Sequence, residues 1–412
     1  MSDIAAPLAA CETMTEARRR LMIGLYAVIG VLYWMSLYTY VPTLSTYAKT
    51  KTDNLALVGV VVSMYGLWQG VVRLPLGIVA DWVGRRKPFI GLGLACALLG
   101  AWVMGTTGTI HGLIVGRAIT GLAAGAWVPL IVVFCSLFPP REAVRATTLL
   151  GLFSSLGQAI ATAANGTLND VGGYPLAFFA AMALAVLALP VLLPAHEDRQ
   201  APRRPSPAGV YHLITRRDVL LPAVLAAVSM FSSWAATFSF SPILAKGLGA
   251  SDVTLSLMMS MNIALGLLGT LVTAMVVKKA GAQRLVYISF CLIAVGTAGV
   301  ALAPTLPLLI VGQALLGLSQ GVGAPVLMGM SIQNVAQAER ATATGLHQST
   351  YAILGMFGGP ALGGVMAHAM GIRPMFIVVA VASLAVGWSL NWWLGRKQER
   401  SEARRTRSGA KG

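Results

Sequence analysis

Long apolar runs alternate with short polar connections along most of the 412-residue chain. A hydrocarbon layer about 30 Å thick needs roughly 20 consecutive apolar residues as an α-helix, because lipid offers no partner to an unpaired backbone group. The pattern therefore predicts twelve membrane-spanning helices, at residues 21–44, 55–80, 88–105, 111–138, 146–168, 174–193, 219–244, 254–277, 285–303, 306–333, 342–367 and 374–394.

A polar stretch rich in proline and arginine divides these runs into two sets of six. We interpret residues 194–218 as a linker that joins an N-terminal bundle, residues 21–193, to a C-terminal bundle, residues 219–394. Residues 1–20 and 395–412 are then the two tails. The predicted fold class is an all-α integral membrane protein with two six-helix bundles, called the two halves below.

The two halves also resemble each other in sequence. Residues 113–125 align with residues 309–321 at a shift of 196, and the tripeptide at 145–147 recurs at 340–342 at a shift of 195. Both pairs occupy the same place in the two sets of spans. The alignment therefore predicts pseudo-symmetric halves, which is the usual plan of a secondary transporter whose substrate site lies between them.

Composition and charge indicate a membrane protein. Apolar residues make up 56% of the chain and charged residues 11%, against about 25% charged residues in a soluble domain. If both termini are cytoplasmic, 24 of the 30 lysines and arginines lie on the cytoplasmic side and four lie outside. Because cytoplasmic loops carry this excess, we expect both termini in the cytoplasm. Topology then explains the net charge of +16 without any binding of nucleic acid, and the lipid bilayer is the expected partner.

Residues 77–87, between the second and third predicted spans, resemble the signature loop of the major facilitator superfamily. The residues that carry this resemblance are Gly77, Asp81, Gly84, Arg85 and Arg86. The resemblance implies a gating role, in which the loop latches the two halves together on the cytoplasmic side. The alternative explanation of Arg85 and Arg86 is that they only determine membrane topology, since cytoplasmic loops are rich in basic residues. One position departs from the pattern, since Trp82 stands where the superfamily usually has a basic residue.

Arg117 in the fourth span, followed by Gly121 and Gly125, is similar to a second motif of the superfamily. The resemblance extends from the first span to the twelfth. It implies a secondary transporter that moves a small-molecule substrate across the membrane by alternating access. We expect a monomer in a bacterial inner membrane, with no cofactor.

Two arginines, Arg73 and Arg117, are the charged residues expected well inside the spans, whereas every Asp and Glu falls in a tail, a loop or a helix end. A buried charge is costly and tends to face a cavity or a partner. Arg117 is therefore a predicted ligand of an anionic substrate, with backbone carbonyls as the alternative partner. Arg73 is a candidate for coupling transport to an ion gradient. The alternative is a structural role, in which its long side chain extends to the cytoplasmic face of the membrane.

Aromatic and amide side chains are expected at the depth of the two arginines. Small-molecule sites combine apolar or aromatic walls with a few polar groups, and ordinary helix packing is the alternative for each residue. The candidate substrate-binding residues, besides Arg117, are Tyr33, Trp34, Tyr38, Trp127, Gln158, Phe231, Trp234, Asn262 and Gln320.

His347 lies in the most polar stretch of any span, residues 347–351. Histidine titrates near neutral pH, so His347 is the candidate carrier of a coupling proton in spans that offer no central carboxylate. A neutral, hydrogen-bonded packing histidine is the alternative.

The sequence offers no paired carboxylates, no Ser–His–Asp combination, no metal-ligand spacing and no phosphate-binding loop. We therefore expect a transporter of a small, anionic organic solute and not an enzyme. The first alternative is an efflux carrier for amphipathic or drug-like compounds. The Gly-Pro-x-x-Gly-Gly pattern of drug antiporters is absent from the fifth span, however, and occurs in the eleventh at residues 359–364. A non-transporting membrane receptor is the more distant alternative.

Overall fold

The computed structural model describes residues 15–139, 142–197, 213, 215–336 and 339–409. The side chains at positions 81, 143, 144, 341 and 397–409 are outside this description. Every regular element within the described ranges is a helix. Eleven helical stretches of this part of the chain are long and apolar enough to cross a membrane.

The spans follow the predicted order and are numbered along the chain. Spans one to six comprise Glu16–Tyr38 with Val41–Lys49, Leu55–Val83, Lys87–Thr106, Ile110–Ala124 with Trp127–Ser136, and the two parts of Ala143–Leu192. Spans seven to twelve comprise Arg217–Ser233 with Trp234–Phe240 and Ser241–Gly247, Asp252–Ala280, Ala282–Leu302, Leu306–Ile332, Arg340–Tyr351 with Ala352–Phe357 and Gly358–Met370, and Ile372–Gly409. The side on which span one begins is called the inner side, and the opposite side is the outer side.

Spans five and six form one helical stretch of 50 residues that is interrupted at two glycines. Gly172 has φ −139° and ψ 17°, and Gly173 has φ 70° and ψ 178°, a conformation that residues with a side chain rarely adopt. A straight helix of this length would extend about 75 Å, more than twice the thickness of a bilayer core. The chain reverses at this break on the outer side, so the eleven stretches contain the twelve predicted spans.

Irregular backbone interrupts four spans. Span one changes direction between Tyr38 and Val41, and span four is interrupted at Gly125 and Ala126. Spans seven and eleven contain π-helical turns at Trp234–Phe240 and Ala352–Phe357. Such turns often occur at functional sites, because they re-aim the side chains of one helical turn.

Spans two and eleven join the two halves through close backbone contact. A Cβ atom added at Gly59 would lie 2.2 Å from the carbonyl oxygen of Pro360, and one at Gly66 would lie 2.5 Å from the carbonyl carbon of Met356. At Gly364 the nearest atom would be a backbone oxygen at 2.8 Å. Glycine is the residue type that allows helices to approach this closely in a membrane.

Polar side chains on the outer side form a second junction between the halves. Asn169 Nδ2 donates to Thr43 Oγ1 at 2.9 Å and to Asp252 Oδ2 at 2.8 Å. Thr43 Oγ1 also donates to Asn165 Oδ1 at 2.9 Å, and Lys246 Nζ pairs with Asp252 Oδ1 at 2.5 Å. These five residues, called the outer network, connect spans one and five with spans seven and eight. The network therefore links the two halves on the outer side.

Candidate functional site

Arg117 is the largest fully buried side chain among the described residues, with 1% of it exposed. Its guanidinium carbon lies 4.4 Å from the centroid of the Tyr65 ring and 5.7 Å from that of Tyr40. Arg117 Nη1 donates to Tyr40 Oη at 3.4 Å. The described carboxylates form no ion pair with it. Cation–π contact thus takes the place of a counter-charge around this arginine.

Further aromatic rings from both halves pack near the two tyrosines that contact Arg117. Trp34 lies 5.1 Å from Trp127 and 5.5 Å from both Tyr33 and Tyr38, measured between ring centroids. In the other direction, Tyr65 stacks on Trp234 of span seven at 5.7 Å, and Trp234 stacks on Phe238 at 4.5 Å. We call this set the central cluster, and it consists of Tyr33, Trp34, Tyr38, Tyr40, Tyr65, Arg117, Trp127, Trp234 and Phe238.

The structure brings six of the predicted substrate-binding residues into the central cluster: Tyr33, Trp34, Tyr38, Arg117, Trp127 and Trp234. Sequence reasoning missed Tyr40, Tyr65 and Phe238. Phe238 follows Trp234 by four residues, so the two rings share a helix face, and this spacing was a usable signal. Tyr40 and Tyr65 carried no such signal, because they reach Arg117 only through the packing of three different spans.

Arg73 joins the two halves beside the central cluster. It is 4% exposed, and its Nη1 donates to Gln348 Oε1 and to Tyr351 Oη of span eleven, each at 3.2 Å. Arg73 therefore does not extend to the inner surface. Gln348 and Tyr351 belong to the polar stretch that the sequence analysis singled out around His347.

Several buried polar atoms of spans one, two and four have no hydrogen-bond partner among the described residues. An unpaired buried donor or acceptor costs about 1–3 kcal/mol, so such atoms mark places where water or a ligand would bind. The atoms concerned are Trp34 Nε1, Tyr65 Oη, Gln69 Oε1, Arg73 Nε and Arg117 Nε. Four of the five are hydrogen-bond donors or hydroxyl groups, which favours an acceptor-rich ligand.

The other four predicted substrate-binding residues are not among the contacts that define the central cluster. Asn262 Nδ2 donates to the Gln313 carbonyl at 2.8 Å, and Gln320 Nε2 donates to Ser229 Oγ at 3.2 Å. Both bonds hold helices of the C-terminal half together. The remaining two are Phe231, which lines a groove between spans seven, eleven and twelve, and Gln158, which is half-buried on span five. Residues at a similar depth in the membrane need not point toward the same site, because a helix turns by 100° per residue.

His347 is buried between spans seven, ten and eleven. Its Nδ1 lies 2.7 Å from Ser331 Oγ, which lies 3.1 Å from the Val219 carbonyl oxygen. The imidazole also meets the Tyr351 ring edge to face, with 5.8 Å between centroids. Since Tyr351 Oη accepts from Arg73, contacts lead from His347 through Tyr351 to Arg73.

The inner loop between spans two and three is attached to the end of span six. Gly84, with φ 67°, ends span two in the left-handed conformation. The backbone N–H groups of Arg86 and Lys87 donate to the two carboxylate oxygens of Glu197 at 2.5 and 2.7 Å. Glu197 therefore caps the positive end of span three, a role that the sequence analysis did not assign.

The other predicted gating residues are placed as follows. Arg85 is exposed at the inner surface, whereas Arg86 is 7% exposed. A Cβ atom at Gly77 would make an ordinary contact of 3.7 Å with Val128. The side chain of Asp81 lies outside the described part of the structure, so its predicted contact stays a prediction.

Comparison with known proteins agrees with this architecture. The family model of the major facilitator superfamily matches residues 26–306 and 223–411. The inner membrane transport protein YajR of Escherichia coli is 32% identical over 149 residues, which are 36% of this chain and 32% of YajR. A chloramphenicol efflux pump of Mycobacterium tuberculosis is 27% identical over 200 residues, 46% of this chain and 48% of the pump. The chain thus matches between about a third and a half of the length of these relatives.

Solved structures show the same fold over nearly the whole chain. A bacterial homologue of the human lysosomal transporter Spinster, in an inward-facing and occupied conformation, superposes with a TM-score of 0.79 at 14% identity. The alignment covers 93% of this chain and 98% of that one. Together, the twelve spans, the two halves and the family match establish a multi-pass membrane protein, and the chain belongs to the major facilitator superfamily of transporters.

Proposed function

We propose that this chain is a secondary transporter, and not an enzyme, that carries a small organic anion by alternating access. The observation that carries the proposal is Arg117, a guanidinium that is 1% exposed among aromatic rings and has no carboxylate partner among the described residues. A buried charge without a partner is costly. This site is best suited to a substrate that carries a carboxylate, since a guanidinium can bind a carboxylate through two parallel hydrogen bonds.

The surroundings of Arg117 favour a substrate with an apolar or aromatic body. Arg73 adds a second positive charge beside the central cluster, at the contact between the halves. The rings of Trp34, Trp127 and Trp234 offer flat apolar surface within the same cluster. Aromatic walls with a few aligned donors are typical of sites for small molecules.

Alternating access requires contacts that form on one side of the protein while they break on the other. The outer network supports a state closed to the outside, and we propose that it opens when the inner side closes. The inner latch consists of Gly77, Asp81, Gly84, Arg85 and Arg86, as the family motif implies. In this proposal the halves are residues 21–193 and 219–394, joined by the linker 194–218. Both termini and the inner side face the cytoplasm of a bacterium.

We propose that His347 and Arg73 couple transport to a proton gradient. The Ser331 hydroxyl has one proton, so when it donates to the Val219 carbonyl the imidazole Nδ1–H donates to Ser331. The other ring nitrogen is then free to accept a proton. A charge at His347 acts on Arg73 through the intervening Tyr351.

A pair of matched solutes tests the anion proposal. Purified protein in proteoliposomes is offered aromatic carboxylic acids and the corresponding carboxamides, which have nearly the same size and shape. We expect uptake of the acid to exceed uptake of the amide at least tenfold, and we expect Arg117→Gln to remove this preference. Equal uptake of acid and amide by the wild type would overturn the proposal.

An efflux carrier for amphipathic, drug-like compounds is the second candidate. The aromatic walls favour it, and one partial relative is a chloramphenicol efflux pump. The same vesicles distinguish the two candidates when neutral aromatic compounds, chloramphenicol included, join the panel. Transport of neutral compounds that persists in Arg117→Gln supports the efflux carrier.

A further inference from the structure

A groove of about 910 Å³ lies at the inner end of spans seven, nine and twelve, and none of its lining residues belongs to the central cluster. It is lined by Leu221, Tyr287, Trp388, Ser389, Leu390, Trp392 and Trp393. Trp388 and Trp392 are 47% and 51% exposed on the lipid-facing surface. We call this feature the inner groove, and neither the substrate site nor the gates include it.

A hydrogen bond and close packing join the helices beside the inner groove. Asn391 Nδ2 of span twelve donates to the Gln283 carbonyl of span nine at 3.1 Å. A Cβ atom at Gly395 would lie 2.4 Å from the Gln283 side chain, and one at Gly387 would lie 2.3 Å from the Phe290 ring. Spans nine and twelve therefore pack without space between them. The groove beside them is formed before any ligand arrives, which lowers the cost of binding.

Each of the three helices adds one arginine at the inner end of the groove. Arg217 precedes Leu221 by four residues, and Arg284 precedes Tyr287 by three. Residues at these spacings share a helix face, so both arginines lie on the face that lines the groove. The guanidinium carbon of Arg396 lies directly over the Trp392 ring, 3.9 Å from its centroid.

The positive charge at this end of the groove is not neutralised by the described residues. Arg217, Arg284 and Arg396 are all exposed, and none forms an ion pair within the described ranges. The nearby carboxylate of Asp218 is engaged by Arg216, at 2.6 Å. The inner groove thus combines an apolar floor with three arginines that have no anionic partner among the described residues.

We propose that the inner groove binds one anionic glycerophospholipid, with its acyl chains against the tryptophans and its phosphate among Arg217, Arg284 and Arg396. The apolar rings match a hydrocarbon chain, and the arginines match a phosphate. Tryptophan also favours the depth at which the two parts of a lipid meet. A second copy of this chain fits less well, because a symmetric contact would place the same three arginines opposite one another.

Tryptophan quenching by brominated lipids tests this proposal without any transport assay. The full-length protein is placed in vesicles that contain brominated phosphatidylglycerol or brominated phosphatidylcholine at equal mole fraction. We expect phosphatidylglycerol to quench more strongly, with the extra quenching lost in the double variant Trp388→Leu, Trp392→Leu. Competition between the two lipids gives their relative association constant.

Arginine variants then assign the head-group site. Replacement of Arg217, Arg284 or Arg396 by Gln should each lower the preference for phosphatidylglycerol about fivefold, and the triple variant roughly a hundredfold. The single variants keep the test decisive if the triple variant folds poorly. Arg18→Gln is the matched control, since Arg18 is an exposed arginine at the inner end of span one and should leave the preference unchanged.

Three results would overturn the proposal. They are an equal association constant for the two lipids in the wild type, an unaltered preference in all arginine variants, and a loss in Arg18→Gln as large as that in Arg396→Gln. Light scattering tests a fourth such result. The wild type would be a dimer, Trp392→Leu would dissociate it, and the preference for phosphatidylglycerol would stay the same. Inorganic phosphate is added at a concentration matched to the lipid phosphate, and its failure to compete is the expected result.

Discussion

Arg117 shows how a single charged residue persists in an apolar protein interior. Its guanidinium is placed over the Tyr65 ring and within hydrogen-bonding reach of Tyr40 Oη, so the aromatic faces partly replace water. Its Nε has no partner among the described residues. The site thus keeps both a charge and a donor available, which is the property that the anion proposal uses.

We predict that Arg117→Gln lowers the affinity for a carboxylate substrate roughly 30-fold or more, because one partner of a buried hydrogen-bonded charge pair is removed. Arg117→Lys should keep weak binding, since a point charge remains without the planar pair of donors. Isothermal calorimetry on purified protein measures both, alongside a melting curve for each variant.

Arg373→Gln is the matched control for this prediction. Arg373 is a partly buried arginine whose guanidinium donates to the carbonyls of Ala301 and Ala303 at 2.7 and 2.8 Å, away from the cluster. Its loss should lower the melting temperature and leave affinity unchanged. If Arg117→Gln behaves like this control, the anion site is elsewhere.

His347 gives a second prediction at the scale of the residue. His347→Gln keeps a hydrogen-bonding group of similar size beside Ser331 but cannot carry a proton. Stimulation of transport by a pH gradient should disappear, whereas exchange of substrate at equal pH should continue. His368→Gln at the outer end of span eleven is the control. Gradient-driven accumulation that survives in His347→Gln would exclude the histidine as the proton carrier.

At the scale of the element, the contact of spans two and eleven depends on glycine. A Cβ atom at Gly66 would lie 2.5 Å from the backbone of Met356, and backbone cannot rotate away as a side chain can. A Cβ atom at Gly59 would lie closer still, 2.2 Å from the carbonyl oxygen of Pro360, which belongs to the Gly-Pro-x-x-Gly-Gly run at residues 359–364. This run supports helix packing in span eleven, whichever substrate the protein carries.

We predict that Gly66→Ala destabilises this contact by about 1–3 kcal/mol, the usual cost of overpacking. The melting temperature and the transport rate should both fall. Gly151→Ala in span five is the control, since no atom lies within 4 Å of a Cβ atom added there. Equal melting temperatures for the two variants would show that spans two and eleven can separate without cost.

At the scale of the whole molecule, the outer network holds the two halves in one relative position. Asp252 belongs to span eight but accepts from Asn169 of span five, and its partner Lys246 lies at the end of span seven. The Asp252 side chain is 10% exposed, whereas the side chain of Asp53, which pairs with Lys49, is fully exposed. Solvent screens the second pair and leaves the first largely intact.

We predict that Asp252→Asn weakens closure of the outer side, because the change removes a nearly buried carboxylate and leaves Lys246 without its counter-charge. A cysteine placed at Thr237, which is 1% exposed, in a variant without the native thiols should then react faster with a membrane-impermeant reagent added outside. Asp53→Asn is the matched control and should leave the rate unchanged. Equal rates in all three proteins would show that the network does not gate the outer side.

The sequence by itself determined the class of this protein and the positions of its spans. Run length decides whether a helix can cross a bilayer, and the twelve apolar runs correctly predicted the spans; the break at Gly172 and Gly173 falls between the fifth and sixth of them. Helix ends were less well determined. Span one begins at Glu16 and the last helix continues to Gly409, because polar residues extend a helix beyond the apolar core.

Only the tertiary structure decided which side chains meet. Depth in the membrane is readable from sequence, and it predicted Arg117 at a similar level to Trp34 and Trp234, but the face of a helix depends on packing against its neighbours. For that reason Asn262 and Gln320, chosen by depth, bond within the C-terminal half, while Tyr65 and Tyr40 reach Arg117.

Contacts between spans that are far apart in the chain were the feature least predictable from the sequence. Arg73 with Gln348, Asn169 with Asp252, and Glu197 with the first turn of span three join residues that lie between 83 and 275 positions apart in the chain. No local pattern encodes such pairs, because each depends on how whole helices are placed. Hydrophobicity therefore determined that the chain spans a membrane twelve times, and helix packing alone determined what its centre can bind.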